Sequence, residues 1–162
     1  MSNPKIKIIF IGTSDFGLPA LRALHQEKNM EINLVISQPD KKAGRKQILT
    51  PPPIKIEAQK LGLPVRQPEK ISTAETEIAD LAPDLIIVAA YAQILPEAIL
   101  AIPRYGCLNI HASLLPKCRG AACIQGAILS GDHETGVTIM LMDKNLDTGP
   151  ILAQKSIPIS LC

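Results

Sequence analysis

The strongest constraint on the fold is an alternation: short, continuous runs of apolar and β-branched residues take turns with amphipathic stretches of helical period. Lys5 to Ile11 is such a run, bounded by Gly12 and followed by a turn through Ser14 and Asp15 and an amphipathic segment from Phe16 to Gln26. That order reads as strand, tight turn, helix. Ile32 to Ser37 forms a second strand. The prolines Pro51 to Pro53 suit the first positions of a helix over Ile54 to Leu61, because proline's fixed φ and missing N–H cost nothing there. Val65 to Gln67 reads as a short third strand, Glu75 to Leu81 as a helix, and Leu85 to Ala90 as a strand buried on both faces. The pattern βαβαβαβ predicts an α/β fold: a doubly wound, Rossmann-like, mostly parallel sheet whose ligand crevice lies beyond the carboxyl ends of its strands. Further strands are expected at Cys107 to His111, Gly136 to Met142 and Ile151 to Lys155, with a helix over Ala121 to Leu129. One long polar connection, Gln38 to Thr50, interrupts the regular alternation.

A chain of 162 residues fits one domain, since a second hydrophobic core would need more length. Hydrophobic residues make up 46% of it and charged residues 20%, enough apolar surface to build a core. Phe10, Phe16, Tyr91 and Tyr105 are the only aromatics, which excludes an extended base-stacking platform. A net charge of +2 is too small for general attraction to polyanions, so any RNA contact must be local. Cys107, Cys118, Cys123 and Cys162 form no CxxC pair, a pattern that reads as reduced thiols and not a zinc site. No apolar stretch approaches the roughly 20 residues of a membrane span, and Met1 to Lys7 runs straight into a strand. A cytoplasmic protein with no metal and no membrane contact is expected.

Three segments carry candidate chemistry. The turn from Gly12 to Gly17 offers backbone N–H groups at a helix start, but it lacks both GxGxxG spacing and a P-loop ending. A tight-turn role is favoured over a phosphate or ribose contact, and a dinucleotide cofactor is not expected. Asn109 and His111 lie two apart on an expected strand, so both side chains face the same side. An amide donor beside an imidazole suits acyl transfer to an amine, in which a base takes a proton while a donor stabilises the oxyanion. Asp147, in a DTG turn after a later strand, could orient the imidazole, with Asp143 as the competing carboxylate. On residue type alone, each of these groups is more often structural.

In these segments the chain resembles the formyltransferase family that uses 10-formyltetrahydrofolate, and within it the branch acting on methionyl-tRNA. The resemblance runs collinearly from Lys7 to about Ile159 through IIFIGTSDFGLPAL, SQPDKKAGR, LTPPPIKIEAQKLGLPVRQPE, PDLIIVAAYAQILP, GCLNIHASLLPKCRGAACIQGAI and GDHETGVTIMLMDKNLDTGPIL. It implies a sheet of the formyltransferase type, with Asn109, His111 and Asp147 as catalytic residues. Ser113, Leu114, Leu115 and Pro116 would line the folate site, together with Tyr91, Gln93, Ile94 and Leu95. Lys41, Lys42, Arg45 and Lys46 would meet the acceptor end of tRNA, Arg45 foremost. The implied reaction moves a formyl group from 10-formyltetrahydrofolate, the co-substrate, to the α-amino group of methionyl-initiator tRNA, in a monomer without metal. The alternatives are a formyltransferase acting on a sugar nucleotide or other small amine, and a folate-binding module without catalysis.

Residues 1–162 are read as a truncated catalytic domain, without the tRNA-binding C-terminal domain found in the family. Such a chain is expected to bind folate but to formylate tRNA poorly. The sequence also departs from the family pattern: Cys118 and Cys123 stand where an aromatic and a proline are usual, Gly126 where a bulky residue is common, Asn145 where a glycine is usual, and Pro150 where an acidic residue is frequent. These changes predict a looser crevice around an intact trio.

Overall fold

The structure, a computed structural model, describes residues 4–160. Its centre is β1 (Ile6–Gly12), whose residues from Ile8 onward are buried. The strand pairs in parallel with β2 (Met30–Ile36) on one side and with β6 (Leu85–Ala89) on the other. A strand hydrogen-bonded on both edges and covered on both faces has no solvated position for polar side chains, which is why IIFI is unbroken.

Period-two alternation divides this run between two cores. Ile9 and Ile11 join Leu34, Ile36, Ile86 and Val88 on one face, beneath Ile78 of α3 (Glu75–Asp80) and Ile99 of α4 (Glu97–Leu100). Ile8 and Phe10 join Val35 and Ile87 on the other, beneath Leu21 of α1 (Leu18–Gln26) and Ile54 and Ala58 of α2 (Pro53–Lys60). Each fully buried aliphatic or aromatic side chain stabilises the fold by about 1.5–3 kcal/mol. The doubly wound layers follow from that distribution.

The sheet has seven strands in the order β5-β2-β1-β6-β7-β8-β9, where β5 is Val65–Arg66, β7 Cys107–His111, β8 Glu134–Leu141 and β9 Ile151–Pro158. Pairing is parallel as far as β7 and antiparallel for β7–β8 and β8–β9. The expected mostly parallel, doubly wound sheet is thus present. The switch point lies between β1 and β6, where the chain leaves β1 first for one side of the sheet and later returns to the other. Strand β9 forms an edge, and each of its residues is exposed. Its partner must approach closely at Gly136, where a Cβ would overlap the Lys155 carbonyl.

Several expected boundaries move. The helix expected from Phe16 begins at Leu18, after a 3-10 turn over Asp15–Gly17. The helix expected from Ala121 begins at Cys123 as α5 (Cys123–Leu129), β8 starts two residues before Gly136, and β9 runs past Lys155 to Pro158. The four-residue α4 was not expected from periodicity. The long connection after β2 is not irregular throughout: Lys41–Ala43 (β3) and Ile48–Thr50 (β4) pair as an antiparallel hairpin. Among the described residues, no helix is long and apolar enough to cross a membrane.

Candidate active site

Strand β7 is the last parallel strand, and Asn109 and His111 lie toward its carboxyl end. Its alternation turns Asn109 and His111 to the same side, where the loop after β8 brings a carboxylate to both. Asn109 Nδ2 donates to Asp147 Oδ1 at 3.3 Å, and His111 Nδ1 lies 3.6 Å from the same oxygen. The other oxygen, Oδ2, accepts the backbone N–H of Gly120 at 2.8 Å. The side chains of His111 and Asp147 are each only 7% exposed, so their interaction is little screened by water.

Local geometry explains how a turn delivers that carboxylate. Asp147 has φ 52°, in the left-handed region that aspartate tolerates better than most residues because its short polar side chain bonds nearby backbone. Two positions later a Cβ on Gly149 would overlap the carbonyl of Leu141, so only glycine lets the returning chain pack beside β8. Asp143 does something else. Its carboxylate accepts the Asn145 N–H at 2.9 Å and the Thr148 hydroxyl at 2.8 and 2.9 Å, which shapes the loop. Of the two competing carboxylates, Asp147 is the one that meets the imidazole.

Behind the ring, His111 Nε2 is 2.9 Å from the Cys118 carbonyl oxygen. The Ser113 hydroxyl donates toward that oxygen at 3.0 Å and toward the Lys117 carbonyl at 2.8 Å. Both ring nitrogens therefore face acceptors, a carboxylate in front and a carbonyl behind. Cys123, buried at the start of α5, also reaches Nε2, with its Sγ at 3.3 Å. Position 123 had suggested a looser crevice; instead its thiol is hydrogen-bonded in the wall of the site.

The residues expected to line an apolar ligand wall divide into groups. Tyr91 and Leu95 are 2% and 3% exposed and belong to the core beneath α3 and α4, so their side chains support the wall from inside and do not present an open surface. Gln93 is committed to its neighbours: its Oε1 accepts the Ile71 N–H at 2.9 Å and its Nε2 donates to the Glu69 carbonyl at 2.9 Å. Ile94 is 79% exposed and is the apolar side chain this segment offers to a ligand. On the other segment Ser113 and Leu115 are buried, Leu114 is half-buried and Pro116 exposed. The Leu115 N–H donates to Thr138 Oγ1 at 3.1 Å, which ties the segment to β8.

Two depressions flank the trio without being lined by it. The larger, about 480 Å³, lies between α4 and the loop after β8 and is lined by Glu97, Leu100, Met142, Asp143, Lys144 and Asn145 among others. Its size is within the range of small-molecule sites, about 300–1,000 Å³, and its loop wall leads directly into Asp147. The smaller, about 90 Å³, lies behind Ser113, Leu114 and Cys118. Among the described residues, no group of three or more His, Cys, Asp or Glu side chains could hold a metal ion.

Lys41, Lys42, Arg45 and Lys46 all lie exposed on the β3–β4 hairpin and its turn, where Gly44 has φ 68°. The root of the hairpin is fixed by residues that sequence reasoning did not single out. Lys55 Nζ donates to both oxygens of Asp40 at 2.8 Å, and Gln67 Nε2 reaches Asp40 Oδ1 and the Gln38 carbonyl, each at 2.7 Å. Hydrogen bonding from Lys55 and then Gln67 holds the Asp40 carboxyl below its ordinary range. The turn at Gly12 has a structural cause: a Cβ there would lie 2.9 Å from the Ala89 carbonyl oxygen and 2.9 Å from the Phe10 ring. Glycine is needed for β1 and β6 to close, whatever else binds nearby.

The chain matches the family described as formyl transferase over residues 5–161. It is 54% identical over 156 residues to a methionyl-tRNA formyltransferase of Lysinibacillus sphaericus and 55% identical over 155 residues to one of Halorhodospira halophila. Each match covers 95% of this chain and 50% of the relative, so the chain spans about half the length of the curated relatives it matches. Among solved structures, a phosphoribosylglycinamide formyltransferase from Bacillus halodurans superposes with a TM-score of 0.77 at 24% identity, covering 95% of this chain and 80% of that one; this likeness concerns the fold. With a family match over nearly its whole length and a sheet of the same architecture, the chain belongs to the formyl transferase family.

Proposed function

We propose that residues 1–162 form the catalytic domain that transfers a formyl group from 10-formyltetrahydrofolate to the α-amino group of methionyl-initiator tRNA, in the cytoplasm and as a monomer. The observation that carries the reading is the convergence of Asn109, His111 and Asp147 on one oxygen-lined point, with Asp147 Oδ1 3.3 Å from the amide and 3.6 Å from the imidazole. The 50–55% identity to enzymes named for this reaction supports it.

In this mechanism the methionyl amine attacks the formyl carbon carried on N10 of the folate. The Asn109 amide and the imidazolium form of His111 stabilise the tetrahedral oxyanion, as donors aimed where charge develops. The new N–C bond forms, the C–N10 bond breaks, and the proton lost by the amine passes to N10 with the help of Asp147. The pterin occupies the crevice between Ile94 and the loop after β8, with Leu114 and Pro116 nearby. Lys41, Lys42, Arg45 and Lys46 follow the phosphates of the acceptor end, as exposed cations on a hairpin of adaptable shape can.

An assay with 10-formyltetrahydrofolate and methionyl-initiator tRNA tests the reading. Expected are formyl transfer, its loss in His111→Ala, and folate binding that survives alanine at all four hairpin cations while transfer to tRNA falls at least about tenfold. Unchanged transfer to tRNA in the hairpin variant, with turnover on a small amine, would assign the site to a small-amine substrate. Folate binding without transfer in a single turnover would make the chain a binding module.

A further inference from the structure

We propose that Cys123 is a positioning residue for His111: its thiol ties together the turn that grips the imidazole from behind and the carboxylate of Asp147 from the side. The proposal rests on the reading of His111 as the group that assists formyl transfer.

The turn from Cys118 to Cys123 touches the trio twice through its backbone. The Cys118 carbonyl is 2.9 Å from His111 Nε2, and the Gly120 N–H donates to Asp147 Oδ2 at 2.8 Å. The Cys123 sulfur lies against the Cys118 and Gly120 carbonyl oxygens, its one S–H able to donate to either, and 3.3 Å from Nε2 itself. Its polar neighbours are therefore the carbonyl that meets the ring, the residue that holds the carboxylate, and the ring.

Geometry favours positioning over simple filling of space. Cys118 has φ 56° and Gly120 φ 93°, so the turn passes twice through the left-handed region, where the non-glycine residue is strained. The Cys123 thiol ties the end of that turn back to its start, and the Ser113 hydroxyl holds the Cys118 carbonyl from outside at 3.0 Å. Cys123 is 4% exposed; burial, with the nearby Cys118 and Asp147 groups adding to it, pushes its thiol above the ordinary range. The group therefore stays a protonated donor at neutral pH, which is the form that can hold a carbonyl. Neither Cys107 nor Cys118 is in a place to do the same: the Cys107 sulfur faces the Leu100 carbonyl at 4.0 Å, and the Cys118 side chain lies toward Gly126.

The groups facing the imidazole are Asp147 from the loop after β8, Asn109 from β7, and the Cys118 carbonyl and Cys123 thiol from the turn and α5. Two substitutions separate the tie from packing. Cys123→Val keeps most of the volume and removes the donor; Cys123→Ser keeps a donor. Nitrogen chemical shifts of the His111 ring, followed through a pH titration of the 162-residue protein, report its tautomer and environment whether or not the protein turns over, and formyl transfer reports its use.

Cys123→Val is expected to shift both ring nitrogens, displace the His111 titration and lower kcat about tenfold, the scale of loss from slight misplacement of a reacting group, while KM for 10-formyltetrahydrofolate stays within about twofold. Cys123→Ser restores most of both readouts. If Cys123→Val does not fold, Cys123→Ala is read in the same way. Wild-type ring shifts and wild-type kcat in the folded donor-less variant would overturn the proposal. Shifted ring signals with no formyl transfer in any variant, wild type included, would uphold the positioning and overturn the activity reading instead.

Discussion

The two halves of the sheet are built on different terms. From β2 through β1 to β6 the strands are parallel and largely clothed on both faces, and β1 holds five consecutive buried residues from Ile8 to Gly12. From β7 to β9 the chain doubles back in antiparallel fashion, and β9 has no buried residue along its eight positions. Ile151, Leu152 and Ile157 of β9 are 45%, 58% and 51% exposed. The first half is where the fold gains its stability. The second half supplies shape: its strands and loops hold Asp147 and the turn at Cys118 against β7, which belongs to both. The candidate chemistry sits on the seam, where β7 pairs in parallel with β6 on one side and antiparallel with β8 on the other.

The largest effect that could break this comparison is on stability. Phe10→Ala, in the clothed half, is expected to cost about 3–5 kcal/mol, whereas Ile157→Ala, on the exposed edge, should fall within about 0.5 kcal/mol of wild type. Denaturant unfolding of the two variants checks the contrast, and equal losses would erase it. At the seam, Asp147→Asn keeps an oxygen for the Gly120 N–H but removes the charge beside His111. Formyl transfer should drop roughly a hundredfold with unfolding free energy changed by less than about 1 kcal/mol, read by single-turnover kinetics beside thermal melts.

The third effect depends on pH. Burial pushes the Cys107 thiol up to about 12 and the Tyr91 phenol up to about 12. Both are acids whose folded values exceed their unfolded ones, so the stability they contribute is full below the unfolded value and is lost as pH rises toward 12. Unfolding free energy should fall from about pH 9 upward, by about 1.4 kcal/mol per pH unit for Cys107, more steeply once Tyr91 joins. Cys107→Ala should flatten the first part of that slope. The smallest expected effect concerns backbone strain: Ala92, exposed beside the site, has φ 67°, and Ala92→Gly should raise stability by up to about 1 kcal/mol, the relief of a left-handed Cβ less glycine's added entropy. A loss on that substitution would show the alanine Cβ to be doing something the geometry does not reveal.

How much of this could be read from the residues follows the same division. The parallel strands were legible because a segment buried on both faces must be apolar throughout, and Ile8 to Ile11 and Leu85 to Ala89 are. The hairpin was not, because each of its strands is three residues long and fully exposed, so no hydrophobic period marks it. Helix α4, four residues after a proline, is too short to display a period either. Asn109 and His111 were legible as a pair from strand alternation alone. The choice of Asp147 over Asp143 was not settled by turn chemistry, since both lie in one loop, and it is decided by contact with Asn109, 38 residues away in sequence. The burial of Tyr91 and Leu95 is illegible for a similar reason: resemblance marks a segment but not which of its side chains turn inward. Two of the contacts of Cys123 are with backbone carbonyls, and a carbonyl leaves no trace in residue type.

The clamp of Lys55 and Gln67 on Asp40 has an evolutionary consequence. It anchors the hairpin at its root through hydrogen bonds among Asp40, Lys55 and Gln67, none of which lies on the hairpin's own strands. Residues 41–50, all exposed, can therefore be exchanged as a cassette: ten surface positions can be rewritten without touching Asn109, His111 or Asp147.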